Sequence, residues 1–292
     1  MSEPCPFTGN ADLYGAGIRY GIYMQWVSAQ LAVWRALKDA NELIDAYLIL
    51  SAALMAALVA LTASSGLRVT EAVIMLHLFF GGLVCVPDHI FPRRKHRGGD
   101  PTRPRTWRTI LSLSVWTLFA GYSAWFWILG RSSYIFTDRN CGTVIFLFAR
   151  ISPGNFSMLS YMFAVISMIL LLIYAILFSV VLCTILLSWI KEGNTTVDVF
   201  FDRLERKAPW LSPGQPFNTI YLYFFLPATL GYSVVAVELM LRWNKVSEVY
   251  QFKSTGQLIP FAIGVAGLVK VIFDMWRERR PVRQGFTPLQ DL

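Results

Sequence analysis

Residues Met158–Ile190 read MLSYMFAVISMILLLIYAILFSVVLCTILLSWI, a run without a single charged side chain. A helix needs roughly 20 mostly apolar residues to cross a bilayer. This run exceeds that length, so it reads as a membrane-spanning helix that tilts or projects beyond the lipid. Working outward in windows of similar size gives six more candidates: Leu13–Trp34, Leu43–Ala63, Val69–Val86, Ile110–Gly130, Thr219–Leu241 and Gly256–Trp276. The first is interrupted by Arg19, Gln25 and Gln30. Composition agrees: the 292 residues are 55% hydrophobic, 15% aromatic and 15% charged, whereas a soluble domain is about 25% charged. Soluble, disordered, collagen-like and disulfide-scaffold classes are set aside on that basis. The expected fold is all-α, a single domain over residues 1–292 built as a seven-helix integral membrane bundle.

Met1–Asp12 holds no Lys or Arg and no apolar run, so no cleaved leader is expected and the first helix serves as its own insertion signal. Basic residues fix the orientation. Seventeen fall in the loops and tail on one side and seven on the other, which places the amino terminus outside (lumenal or extracellular) and the carboxyl terminus in the cytosol. A multi-pass protein so inserted enters at the endoplasmic reticulum or another endomembrane. The net charge of +8 then reflects topology, and the basic run Arg93–Arg97 is read as touching anionic lipid headgroups, not nucleic acid.

Cys85 and Cys183 fall inside helices as small apolar packing residues. Cys5 and Cys141 share the outer side, where a disulfide between them or two free thiols are both open. Of two glycosylation sequons, at Asn155 and Asn194, only the first is on the outer side.

An ionisable group at membrane depth costs about 2.5–3.5 kcal/mol on insertion scales, which makes each one a functional candidate. In the first helix Arg19, Tyr23, Trp26 and Gln30 are spaced four, three and four apart and share one face, which must look into the bundle. Gly15, Ala16, Gly17 and Gly21 beside them permit close approach by another helix. For Arg19, a structural ion pair or outward snorkelling stands beside a functional role. The third helix brings Glu71 and His77, the latter read as a hydrogen-bonded packing residue with proton donor as the alternative. Glu238, Asn244 and Gln257 complete an outer polar group, with Glu238 and Arg19 as its expected charge pair. Lys270 and Asp274 make a local pair on the last helix. Asp198, Asp202 and Glu205 share a face of a short amphipathic stretch and read as the solvated side of an interfacial helix, with a site for a metal and a diphosphate as the alternative. No metal and no cofactor is expected.

There is no P-loop, HExxH, GxSxG or paired CxxC in the chain, and no internal repeat of the transporter kind. Trp116, Phe119, Tyr122 and Phe126 recur at helical spacing, and Tyr221, Tyr223, Phe224 and Phe225 crowd the sixth helix. Such rings serve lipid-facing belts. They also stabilise desolvated cations by about 0.5–2 kcal/mol each, so an aromatic cavity with a carboxyl acid suits carbocation chemistry.

The stretch Asp12–Trp26, the segment Cys141–Ala149, the trio Arg242-Trp243-Asn244 after Glu238, and Ser254–Pro260 resemble a large group of fungal seven-helix membrane proteins. Among characterised families the chain is most similar to the membrane-bound terpene cyclases of meroterpenoid pathways, of the ascochlorin/ascofuranone type. That resemblance implies protonation-started cyclisation of a prenyl chain on an aromatic or polyketide head, within secondary metabolism. The implied partners are a small hydrophobic prenylated substrate and membrane lipid, with no protein partner evident. The residues themselves suggest Glu238 or Glu71 as the acid. Arg19, Asn244 and Gln257 would orient acid and head group, and Tyr23 and Trp26 would face the cation. A seven-helix receptor or channel-like protein that binds a ligand unchanged is the alternative.

Overall fold

The computed structural model describes residues 6–35, 40–85, 106–130, 144–151, 156–190, 221–252 and 254–278. Helices dominate them. A short strand β1 (Phe7–Thr8) and a single helical turn α1 (Ala11–Tyr14) lead into α2 (Ala16–Trp34), α3 (Ala40–Ala63), α4 (Val69–Cys85) and α5 (Thr106–Ile128). Two-residue strands β2 (Ile145–Phe146) and β3 (Arg150–Ile151) precede α6 (Phe156–Ile190). A π turn at Tyr221–Phe225 opens α7 (Leu226–Trp243), and β4 (Val246–Ser247) separates it from α8 (Thr255–Glu278).

All seven expected helices thus form where the apolar windows lie. Five, within α3, α5, α6, α7 and α8, are long and apolar enough to cross a membrane. The other two fall short for physical reasons. α2 carries Arg19, Gln25 and Gln30 in its length, all buried, and α4 is only 17 residues long.

Helix pairing follows small residues. α2 packs most extensively on α8, because Gly17 and Gly21 lie against the backbone carbonyls of Gln257 and Pro260, and Gly264 lies against Gly21 in return. A stripe of small residues lets two helix backbones approach where no side chain would fit. α5 pairs with α6 through a Ser123–Ser167 hydroxyl hydrogen bond of 2.7 Å and a Trp127–Phe163 stack at 4.9 Å. α4 pairs with α7, the Trp26 ring of α2 and Ser233 of α7 both meeting the bare Gly81 backbone. At the far end Arg108 of α5 forks onto the Asp45 carboxylate of α3, and Lys270 of α8 reaches Glu42 of α3 at 2.7 Å.

The aromatics divide between the two roles open to them. Trp116, Phe119, Tyr122 and Phe126 all face inward and are buried, Tyr122 donating to or accepting from Thr62 at 2.8 Å. Tyr223, Phe224 and Phe225 stay exposed at the start of α7. Cys183, expected as a packing residue, is exposed on α6, a helix whose surface is mostly open. Cys5, Cys141, Asn155, Asn194, Arg93–Arg97 and Asp198, Asp202 and Glu205 lie outside the described residues.

Candidate functional site

The predicted polar face of α2 exists, and α7 is what it meets. Arg19 has no exposed surface. Its Nε donates to Glu238 Oε1 at 2.8 Å, and Nη1 donates to the Tyr14 carbonyl at 2.5 Å and the Val249 carbonyl at 3.2 Å. Tyr23 donates its hydroxyl to the same Glu238 oxygen at 3.3 Å. One helical stride deeper, Gln30 donates to the Leu226 carbonyl at 3.1 Å. The pair is incomplete on one edge. Glu238 Oε2 takes no hydrogen bond among the described residues, and Arg19 Nη2 likewise has no partner among them. The Glu238 side chain is 22% exposed.

Aromatic rings surround that pair. The Arg19 guanidinium carbon sits 5.9 Å from the Tyr20 ring centre and 5.7 Å from that of Tyr250. Tyr23 is 6.2 Å from Tyr20 and 5.6 Å from Trp26, centre to centre. Partial burial raises the Tyr250 phenol above its ordinary range, Arg19 opposing and Glu238 adding to the effect, so Tyr250 is neutral at physiological pH.

Glu71 belongs to a different arrangement. Its Oε1 accepts from the Tyr14 hydroxyl at 2.6 Å and the Asn10 amide at 3.0 Å, and Oε2 accepts from the Arg68 amide at 2.9 Å. The last bond is the reach-back of a capping box: the third residue of α4 satisfies the amide that precedes the helix. Both oxygens are therefore occupied by structural donors. Glu71 also lines a shallow polar cleft of about 370 Å³ with Thr8, Asn10, Ser65 and Arg68. Tyr14 joins the two clusters, its side chain held by Glu71 and its carbonyl by Arg19.

Asn244 and Gln257 are not brought to Glu238. Asn244 caps α7, its Nδ2 donating to Met240 and Val144 carbonyls and its Oδ1 accepting from the Val144 amide, each at 2.8 Å. It therefore pins the β2 segment to the end of α7. An Asn244→Leu variant leaves both buried Val144 groups unpaired, at about 1–3 kcal/mol for each unsatisfied group. The expected result is a lower melting temperature with faster amide exchange confined to residues 144–151. Exchange in that segment at the wild-type rate contradicts the clamp. Gln257 is wholly buried against the α1–α2 junction, its Oε1 3.5 Å from the Gly17 amide. His77 is the packing residue expected, its Nδ1–H donating to the Val73 carbonyl at 2.9 Å. Among the described residues no three His, Cys, Asp or Glu side chains converge as metal ligands do.

The sequence reading did not include Tyr14, Tyr20, Tyr250 or the Val249 carbonyl. Tyr14 and Tyr20 were hidden in an apolar window. Val249 and Tyr250 reach Arg19 because Lys245 and Glu248 adopt left-handed conformations, with φ of 50° and 65°, which fold the α7–α8 connection back over α2. Neither position carries the glycine or asparagine that signals such a turn. Comparison of the chain with protein-family models, with curated proteins and with solved structures finds no match.

Proposed function

We propose that this chain is a seven-span membrane protein with its amino terminus outside, and that it cyclises a prenyl chain carried on an aromatic or polyketide head. The observation that carries the reading is the half-open Arg19–Glu238 pair inside a frame of Tyr20, Tyr23, Trp26 and Tyr250. The seven-span topology is supported by α2 itself, whose three interrupting polar residues are all turned inward, and by the loop-charge bias.

In this reading Glu238 is the acid and acts through Oε2, the oxygen that Arg19 and Tyr23 leave free. The proton passes to a terminal double bond, or to an epoxide oxygen as its carbon–oxygen bond opens. Either route leaves a cation at carbon. A neighbouring double bond attacks it to close the ring, and the Glu238 carboxylate takes up the proton that leaves the adjacent carbon, which restores neutrality and the acid together. In this reading Tyr23 and Trp26 are the rings that stabilise the cation, an interaction worth about 0.5–2 kcal/mol for a desolvated ring. Glu71 has no free oxygen with which to do this.

Product analysis in a heterologous host fed prenylated precursors tests the activity. Glu238→Gln keeps the shape and removes the acid. Its turnover is expected to fall by about 10²–10⁴, the usual contribution of a general acid, with membrane insertion unchanged. Turnover at the wild-type rate rules out this assignment, and a precursor bound but returned unchanged favours a ligand-binding protein.

A further inference from the structure

The connection between α5 and α6 does not stay at the end of the bundle. Asn244 fixes Val144 to the carboxyl-terminal end of α7, and from there β2 runs back along that helix. Centre to centre, the Phe146 ring lies 5.9 Å from Trp243 and 5.7 Å from Tyr232, and the Phe148 ring lies 5.0 Å from Tyr232. Tyr232 precedes Trp243 by eleven residues, or about 16 Å of helix. The four steps from Val144 to Phe148 cover about 13 Å of extended chain, enough to bring the tip to that level once the rings are added. On its other side the Phe146 backbone lies beside the His77 ring, more than two turns inside α4. The chain turns at Phe148 and returns, β3 pairing antiparallel with β2.

That path is deep. The part of α7 long and apolar enough to cross a membrane is Tyr223–Trp243, and Tyr232 stands near its middle. Non-helical backbone at such depth is tolerated only inside protein or against water, because lipid offers its polar groups no partner. One side of the hairpin is inside protein, for Val144 and Ile145 are buried. The other side is not. Phe148 is 83% exposed, Ala149 and Arg150 are exposed beside it, and the Phe148 amide and carbonyl have no backbone partner among the described residues. Phe148 makes the turn with a φ of 61°, a conformation that bulky residues seldom adopt. Arg150 sends its guanidinium back to within 5.9 Å of the Trp243 ring, toward the end of the span, as a basic side chain does from below an interface.

We propose that residues 144–151 are a re-entrant hairpin whose exposed edge lines a water-filled vestibule, open at the end of the bundle that holds Arg19 and Glu238. Its floor lies at the level of Tyr232, and its water gives the Phe148 backbone the partners that lipid would deny it. The inference rests on α7 crossing the bilayer and is independent of any chemistry at Glu238. That carboxylate faces α2, whereas the hairpin lies along the flank of α7 that carries Tyr232 and Trp243.

The test puts a nitroxide spin label on single cysteines of the full-length protein in lipid nanodiscs, with its four native cysteines replaced by alanine. Ala149→Cys and Phe148→Cys report on the hairpin edge, and having both keeps the result readable if one substitution disturbs the turn. Val235→Cys reports on the same depth from the outside of the bundle, since Val235 is exposed and lies within one turn of Tyr232. Collision with a polar nickel chelate reads water, and collision with dissolved oxygen reads lipid. The label at 235 is expected to meet oxygen and to lose nearly all contact with the chelate. The labels at 148 and 149 are expected to keep the chelate contact of a label in open solution. Oxygen-dominated collisions at all three positions overturn the vestibule and put the edge in lipid. Chelate contact at all three also overturns it, because the hairpin then stands clear of the bilayer. Labels at 148 and 149 that meet neither probe overturn it in a third way, by showing the edge covered with protein. No outcome depends on turnover, so the vestibule and the reaction proposed at Glu238 fail separately.

Discussion

Arg19→Met is expected to destabilise the folded protein by about 3–5 kcal/mol, the scale seen when one partner of a buried ion pair is removed. Two effects add. Glu238 loses its counter-charge while Tyr23 still holds it in place, and the Tyr14 and Val249 carbonyls lose the donor that joined them. The second effect spreads the damage, because those carbonyls belong to the amino-terminal segment and the α7–α8 connection, two pieces of chain that meet only at this end of the bundle. Thermal unfolding in a fixed detergent reads the loss. A double variant, Arg19→Met with Glu238→Leu, is expected to recover part of it, since an apolar pair leaves no charge unpaired. The carbonyls would still lack a donor, so full recovery is not expected. Arg19→Lys tests geometry at constant charge. A single ammonium cannot replace a planar fork that serves a carboxylate and two carbonyls at once, and this variant should fall between the other two. If Arg19→Met melts with the wild type, the pair is not holding this end of the bundle together.

The same residue shows how far the sequence could be read. Spacing alone put Arg19, Tyr23, Trp26 and Gln30 on one inward face, because the helical period is a strong constraint once a segment is known to be a helix. That face and the Arg19–Glu238 pair both form. The assignment of Asn244 and Gln257 to the same cluster rested on their depth in the membrane, and depth does not determine azimuth. Asn244 turns toward Val144 and Gln257 toward Gly17, each held by backbone partners that no spacing rule identifies. Glu71 is a similar case. It lies at the expected end of α4, but its Oε2 reaches back to the Arg68 amide as a capping residue does, and with Arg68 standing where a capping box has Ser or Thr the chain carries no signature of it. The apolar windows located α2 and α4 as well, α2 the least clearly because Arg19, Gln25 and Gln30 interrupt it. They could not show that α2 is covered by neighbours along its polar side, which is what reconciles three polar residues with an inward-facing helix.

The glycines of α2 allow a prediction as large as that for Arg19. Gly21→Leu is expected to separate α2 from α8, because the Cβ alone would overlap the Pro260 carbonyl and the Phe261 amide. These are backbone atoms, which no rotamer change can move aside. Overpacking a core ordinarily costs about 1–3 kcal/mol and sometimes more. Here the upper end applies, since relief requires moving a whole helix. The effect reaches the site, for Gly21 is two residues from both Arg19 and Tyr23, and displacing α2 pulls their shared bonds off Glu238. Loss of the folded species by size-exclusion chromatography, or a melting temperature well below wild type, is the expected outcome. Gly231→Leu supplies the control within the same chain. It makes the identical substitution in a helix, but where a Cβ meets open space, so its melting temperature should stay near that of the wild type. If the two variants melt together, α2 and α8 do not pack backbone to backbone, and the inward face that carries Arg19 loses its support.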